Sequence, residues 1–140
     1  MIRLANKFDI KDIIRLMKQY AETSDIALKA NPLNWSKTYI ENILIEIIAG
    51  KGFVLIDEKK TGILVAIKSP IFWIENSVQL QEVMLHCENK ITMMRLIKEY
   101  INIAKQMLDE HKITHAVMFS EPNAKFDKIG LNKLEITWEI

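Results

Sequence analysis

The chain has 140 residues, of which 49% are hydrophobic and 26% are charged, and this composition is typical of one globular domain rather than two. Its net charge of +1 gives no field that would favour nucleic acid or a membrane as a partner. The one cysteine, Cys87, excludes an intramolecular disulfide, and together with a charged N-terminus and no apolar run long enough to span a bilayer it predicts a cytoplasmic protein.

The N-terminal stretch predicts a short strand followed by an amphipathic helix. Residues 2–5 are interpreted as the strand. Apolar residues at helical spacing then predict a helix over residues 10–22, with Asp9 as its N-cap and Asp12 three positions later. Residues 23–34 predict a loop.

A second helix and a β-hairpin follow. The helix begins at Asn34 or Ser36 and ends at Gly50, because a glycine is the usual residue after the last helical turn. Two β-rich runs, residues 52–57 and 61–69, are separated by a short polar turn, which predicts a hairpin.

A third long strand is predicted over residues 78–87, after an aromatic connection. Its sequence, VQLQEVMLHC, alternates in character along the chain. Strict alternation places Glu82 on the same face as Leu80 and Met84.

The C-terminal part predicts a crossover unit and a final strand. A long amphipathic helix follows Asn89, and residues 113–119 form an apolar strand. A short helix begins after Ser120 and ends before Gly130, and residues 131–140 predict the last strand. The order β-α-α-β-β-β-α-β-α-β predicts an α/β (α+β) fold with a mixed six-stranded sheet and helices on both faces.

Three stretches resemble the GCN5-related N-acetyltransferase (GNAT) family, and the order of the elements agrees with its fold over nearly the whole chain. Residues 2–17, IRLANKFDIKDIIRLM, resemble the first strand and helix of the family, and residues 120–135, SEPNAKFDKIGLNKLE, resemble its closing turn and short helix. Residues 61–85 are similar to the central strands, particularly those of phage-encoded members with a Ser-Pro and aromatic insertion. The resemblance implies one GNAT-like domain over residues 1–140.

The resemblance implies acetyl-CoA as the cofactor, with its pyrophosphate on a glycine-containing loop before the long helix. Residues 88–93 stand at that place and contain no glycine. Lys90, the Thr92 hydroxyl and the first helical amides are the possible substitutes, and the family pattern adds Asn123 in the closing turn. The alternative is an ordinary helix start with Asn89 as its N-cap.

The resemblance also implies a carboxylate base on the strand before that loop, and Glu82 stands at this position. Apolar neighbours would raise its pKa and suit it to take a proton from an ammonium group. The alternatives are a solvated carboxylate or one that is paired with a lysine. A backbone N–H near Met84 or Leu85 would polarise the thioester carbonyl, and Phe126 replaces the tyrosine that often protonates the leaving thiolate.

Three aromatic residues in the connections, Trp35, Phe72 and Trp73, are candidates for a substrate pocket or for a subunit contact. No metal site is expected. His86, Cys87 and Glu88 are ligand types, but neighbours in an extended segment point to opposite sides and do not share one ion.

Two functions follow from the resemblance. The first is an N-acetyltransferase that uses acetyl-CoA and a small-molecule or protein amine as acceptor. The second is a non-catalytic protein of the same fold, such as a virion-associated or assembly protein of a phage, that has lost acetyl-CoA binding. In either case we expect a homodimer, because the apolar last strand with Trp138 leaves a sheet edge that needs cover. No nucleic acid or membrane partner is expected.

Overall fold

The computed structural model describes residues 1–23, 36–119 and 124–134. Within them, the α-helices and β-strands follow one another along the chain in the order β1, α1, α2, β2, β3, β4, α3, β5. The helices are α1 (Ile10–Thr23), α2 (Lys37–Glu46, continued by a π-helical turn Ile47–Lys51) and α3 (Lys90–Asp109). The strands are β1 (Ile2–Leu4), β2 (Gly52–Asp57), β3 (Gly62–Ser69), β4 (Gln79–Cys87) and β5 (His115–Val117).

The described strands form one mixed sheet in the order β1-β2-β3-β4-β5. The first three pairings are antiparallel and the pairing of β4 with β5 is parallel. One face of the sheet packs under α1 and α2 through a core that contains Ile13, Leu44 and Val65. The other face packs against α3 through a core that contains Leu64 and Leu96. The prediction of a mixed sheet with helices on both faces is therefore confirmed.

The first eight elements follow the predicted order, but the complete order is wrong, because the final helix and the sixth strand are not found as predicted in the part of the chain that is described. Five strands are present there, and residues 131–134, where the sixth was predicted to begin, have no regular structure. Residues 135–140, including Trp138, lie outside the described residues. The predicted short helix is reduced to the 3-10 turn Phe126–Ile129, which ends at Gly130 in the left-handed conformation.

The first helix is capped differently from the prediction. A 3-10 turn, Lys7–Asp9, precedes α1, and its N-cap is Asn6 rather than Asp9. Asp9 instead accepts a hydrogen bond from the Asn6 N–H and two, each of 2.8 Å, from the Arg3 guanidinium. These bonds, the Arg3 pair foremost, lower the pKa of the buried Asp9 carboxyl from 3.8 to about 2. Asp9 therefore ties β1 to the start of α1.

A β-bulge in β4 changes which side chains share a face. Val65 is opposite Met84 and Ala66 is opposite Glu82, so Val83 is the extra residue. Before the bulge, Glu82 lies on the α3 side with Ala66; after it, Met84 packs on the α1 side with Val65. The predicted common face of Glu82 and Met84 is therefore wrong, because the extra residue shifts the period-2 alternation by one position.

Candidate functional site

A fork between β4 and β5 opens in the middle of β4. The two strands pair only from Gln79–His115 to Gln81–Val117, whereas β4 continues to Cys87. Beyond Gln81, β4 has no strand partner on this side among the residues that the structure describes. Parallel strands that part in this way leave a gap with unpaired backbone groups at its edge.

Glu82 lies at the point where the fork opens. Its side chain is 4% exposed, and its carboxylate accepts a hydrogen bond of 3.2 Å from the Phe119 N–H, which follows β5. Burial raises the pKa of Glu82 from 4.5 to about 7, and the bond from Phe119 only partly opposes this. Within the described residues, no lysine pairs with Glu82. Glu82 is therefore neither solvated nor paired with a lysine among the described residues, which were the two alternatives to a buried base.

Tyr100 brings a hydroxyl from α3 into the same fork. This hydroxyl donates to the Val117 carbonyl of β5 and lies 3.5 Å from the Leu80 carbonyl of β4. Burial, and then the charge of Glu82, raise the pKa of Tyr100 well above its usual range. From the sequence, Tyr100 is expected on the buried face of the long helix and without a role in protonating the leaving thiolate. The available signal was a tyrosine on an otherwise aliphatic helix face, since a buried hydroxyl needs a partner.

At the helix start, residues 88–93, two backbone amides are hydrogen-bonded to the N-cap residue. Asn89 is the N-cap of α3, and its side-chain oxygen accepts a hydrogen bond of 2.8 Å from the Thr92 N–H. The Met93 N–H donates to the Asn89 carbonyl. Lys90 is exposed, and Ile91 is 68% exposed. Two of the helix-start amides, those of Thr92 and Met93, are therefore already bonded within the chain.

A cavity of about 330 Å³ lies on the other face of the sheet, between α1, α2 and the bulge. Its described lining is mostly apolar and consists of Met17, Ser36, Tyr39, Ile40, Ile43, Leu44, Ile47, Val65, Val83 and Met84. Val83, the bulged residue, lines the cavity and is 41% exposed, so the bulge forms part of the cavity wall. This volume is at the lower end of the range for small-molecule sites.

The other predicted site residues lie apart from this cavity or outside the described chain. Phe72 and Trp73 are 91% and 73% exposed on the turn between β3 and β4, and their rings meet edge to face. Neither lines the cavity. Trp35 and Asn123 lie outside the described residues. Leu85 lies on β4 beyond the fork point.

The described ranges contain no group of three side chains that could hold a metal ion. In the same ranges, none of the helices combines the length and the apolar character that crossing a membrane requires.

Solved structures of acetyltransferases share this fold. An acetyltransferase from Trypanosoma brucei aligns with a TM-score of 0.69 and 13% identity, over 100% of this chain and 97% of that chain. Glucosamine-6-phosphate N-acetyltransferase from Arabidopsis thaliana aligns with a TM-score of 0.68 and 12% identity, over 100% and 96%. An aminoglycoside acetyltransferase from an uncultured soil metagenomic sample aligns with a TM-score of 0.66 and 12% identity, over 100% and 96%.

The sequence comparisons add no closer relative. No protein-family model matches the chain, and no curated protein matches it significantly. At 12–13% identity the structural likeness establishes the fold alone. The resemblance to GNAT acetyltransferases seen in the sequence is thus confirmed at the level of architecture.

Proposed function

We propose that this protein is an acyl-CoA-dependent N-acetyltransferase that acts on an amine. The observation that carries the proposal is the buried Glu82 carboxylate at the fork between β4 and β5, in a chain with the fold of acetyltransferases. With its pKa raised to about 7 by burial, Glu82 is partly ionised at neutral pH and can accept a proton from an ammonium group.

The open edge of β4 supports Leu85 as the residue whose amide would polarise a carbonyl. Glu88 donates its N–H to the Thr61 carbonyl at 3.1 Å, which marks their pair as a hydrogen-bonded pair of the antiparallel ladder. Hydrogen-bonded pairs alternate with non-hydrogen-bonded pairs along the ladder, so Val65–Met84 is a hydrogen-bonded pair and Leu64–Leu85 is not. The N–H and C=O groups of Leu85 therefore point away from β3. Of the two predicted residues, we therefore favour Leu85 over Met84.

The residues present fit acetyl-CoA better at the strand than at the helix. When bound, this cofactor would supply an acetyl group activated as a thioester. Leu85 offers an open amide beside the fork. At the helix start, Lys90, the Thr92 hydroxyl and the helical amides before Thr92 are the groups left for the pyrophosphate, because the Thr92 N–H is bonded to Asn89. Asn123 stays a prediction for the same role.

The proton steps rest on Glu82. It would take the proton of the attacking ammonium, directly or through water, while the Phe119 N–H holds its carboxylate in place. The leaving thiolate then needs a proton. Phe126 has no hydroxyl to give, and the Tyr100 hydroxyl is engaged with the Val117 carbonyl. We therefore expect solvent to supply that proton, at some cost in rate.

Calorimetry with acetyl-CoA tests the cofactor half of this proposal. The wild type should bind, and Lys90→Ala should weaken binding by roughly tenfold, since a charge-assisted contact with a phosphate is lost. Lys98→Ala is the control, because Lys98 is exposed on the same helix two turns later. No binding to the wild type at millimolar acetyl-CoA would refute the proposal.

A second candidate function is favoured by the closed helix start. The absence of glycine from residues 88–93 and the cap formed by Asn89 and Thr92 are what a lost phosphate site would show. In this case the chain would be a non-catalytic protein of the same fold, for example a phage virion or assembly protein. Glycine at positions 91 and 93 should then create acetyl-CoA binding that the wild type lacks.

The remaining proposals concern location and assembly. We propose a cytoplasmic homodimer without nucleic acid or membrane as a partner. The dimer prediction rests on the last strand, predicted over residues 131–140; residues 131–134 have no regular structure, and residues 135–140 lie outside the described residues. Light scattering at micromolar concentration tests it, and a monomer would refute it.

A further inference from the structure

The cavity between α1, α2 and the bulge contains no charged side chain among its described lining residues. Eight of the ten lining side chains are apolar, and the other two are Ser36 and Tyr39. The Ser36 hydroxyl already accepts the Tyr39 N–H as the N-cap of α2. An ammonium or phosphate group inside this cavity would therefore lose its hydration without gaining a counter-charge.

The cavity adjoins the proposed catalytic residue through the bulge. Val83 and Met84, which line it, directly follow Glu82 in β4. Glu82 itself lies on the opposite face, at the fork. A ligand with an apolar body in the cavity would therefore lie across β4 from Glu82, and only a polar end at the open edge of β4 could approach the Glu82 carboxylate.

We propose that this cavity binds the apolar body of the acceptor, which is a small aliphatic or aromatic amine whose nitrogen stays at the cavity mouth. The inference rests on the proposed acetyltransferase function and names its substrate class. A volume of about 330 Å³ suits one small apolar group. A polycation such as an aminoglycoside finds no carboxylate in the described lining, so this part of the cavity gives its ammonium groups no counter-charge.

Methionine methyl groups report on the cavity without any need for acetyl-CoA. Met17 and Met84 line it, whereas Met93, Met94 and Met107 belong to α3. In protein labelled at the methionine methyl carbons, 2-phenylethylamine should shift the NMR signals of Met17 and Met84 and leave those of α3 unchanged. Single Met→Leu variants assign the signals. Kanamycin should cause no shift.

One variant on the exposed wall of the cavity tests the site itself. Ile43 lines the cavity and is 37% exposed, so Ile43→Lys should fold and should weaken 2-phenylethylamine binding at least tenfold. The matched control is Ile45→Lys, because Ile45 is 49% exposed on the same helix but does not line the cavity. This control should bind the amine as the wild type does.

Three results would overturn the inference. The first is that 2-phenylethylamine does not shift the signals of Met17 and Met84. The second is that kanamycin shifts them equally. The third is that octanoyl-CoA shifts them and the amine does not, which would assign the cavity to an acyl chain. Amine binding at Met17 and Met84 in a protein that does not bind acetyl-CoA would keep the apolar amine site and refute the acetyltransferase proposal. The two failures are therefore distinguishable.

Discussion

Replacing Glu82 with glutamine should stabilise the protein above pH 7 and leave its stability nearly unchanged at pH 4. Burial raises the pKa of the Glu82 carboxyl from 4.5 to about 7, so the ionised form costs free energy in the folded state that it does not cost in the unfolded chain. Glutamine keeps the shape and retains an oxygen that can accept the Phe119 N–H, but it carries no charge.

The sign and size of the effect follow from this pKa. A carboxyl that holds its proton more tightly in the folded state makes the wild type less stable as the pH rises from about 4.5 to about 7, and the cost is constant above that range. Each pKa unit corresponds to about 1.4 kcal/mol. The free energy of unfolding of Glu82→Gln minus that of the wild type should therefore grow by about 3 kcal/mol between pH 4 and pH 8.

Urea unfolding followed by tryptophan fluorescence at several pH values measures this difference. Subtracting the wild type cancels the contribution of His86, whose pKa is lowered by burial in both proteins. Glu75→Gln is the control, since Glu75 is exposed and its replacement should give a flat difference. A flat difference for Glu82→Gln as well would show that Glu82 does not titrate near pH 7, and the argument for it as the base would fail.

Three further changes test the structure around the site. Asp9→Asn should lower the free energy of unfolding at pH 7 by about 1 to 2 kcal/mol, because one of the two acceptors for Arg3 and the negative charge are lost. The pKa of Asp9 is lowered to about 2, so wild-type stability should fall as the pH drops from about 4 to about 2. Gly52→Ala should cost at least about 2 kcal/mol in urea unfolding, since the added Cβ would lie 2.0 Å from the Ala66 carbonyl oxygen. Tyr100→Phe should cost about 1 kcal/mol and speed amide hydrogen exchange in β5, because the hydroxyl that links the two sides of the fork is removed.

Matched substitutions at exposed positions separate these effects from general damage. The controls are Asp127→Asn for Asp9→Asn, Lys51→Ala for Gly52→Ala, and Tyr39→Phe for Tyr100→Phe. Each control changes an exposed residue and should change the free energy of unfolding by less than about 0.5 kcal/mol. If Asp9→Asn or Gly52→Ala behaved like its control, the contacts described for that residue would be wrong. Unchanged exchange rates in Tyr100→Phe would show that the hydroxyl does not hold β5 to β4.

Much of the secondary structure was predictable because its signals are local. The hairpin of β2 and β3, the helix caps at Ser36 and Asn89, and the end of the second helix near Gly50 each depend on a few neighbouring residues. The cap of the first helix was missed for an equally local reason. Asn6 and Asp9 together form a capping box on a 3-10 turn, and only its second member was recognised.

The site was only partly predictable. Glu82 was identified through the family resemblance, and the structure places it buried at the fork. Its relation to Met84 was wrong, because a bulge leaves no mark in the alternation of VQLQEVMLHC. Neither the position of the Tyr100 hydroxyl at the fork nor the cavity was predicted. The aromatic pair Phe72–Trp73, which was expected at a substrate pocket or a subunit contact, lies on an exposed turn.

The sequence by itself determined the helices and strands from residue 2 to the strand after the long helix, that helices cover both faces of a mixed sheet, and that residues 88–93 contain no glycine. Only the tertiary structure decided that Val83 is the bulged residue, that the Tyr100 hydroxyl enters the fork, and that a cavity without charged described lining adjoins the bulge. The physical reason is the range of the interactions. Periodicity and capping act within a few residues of the chain, whereas register, burial of a carboxylate and the walls of a cavity depend on elements that meet only after folding.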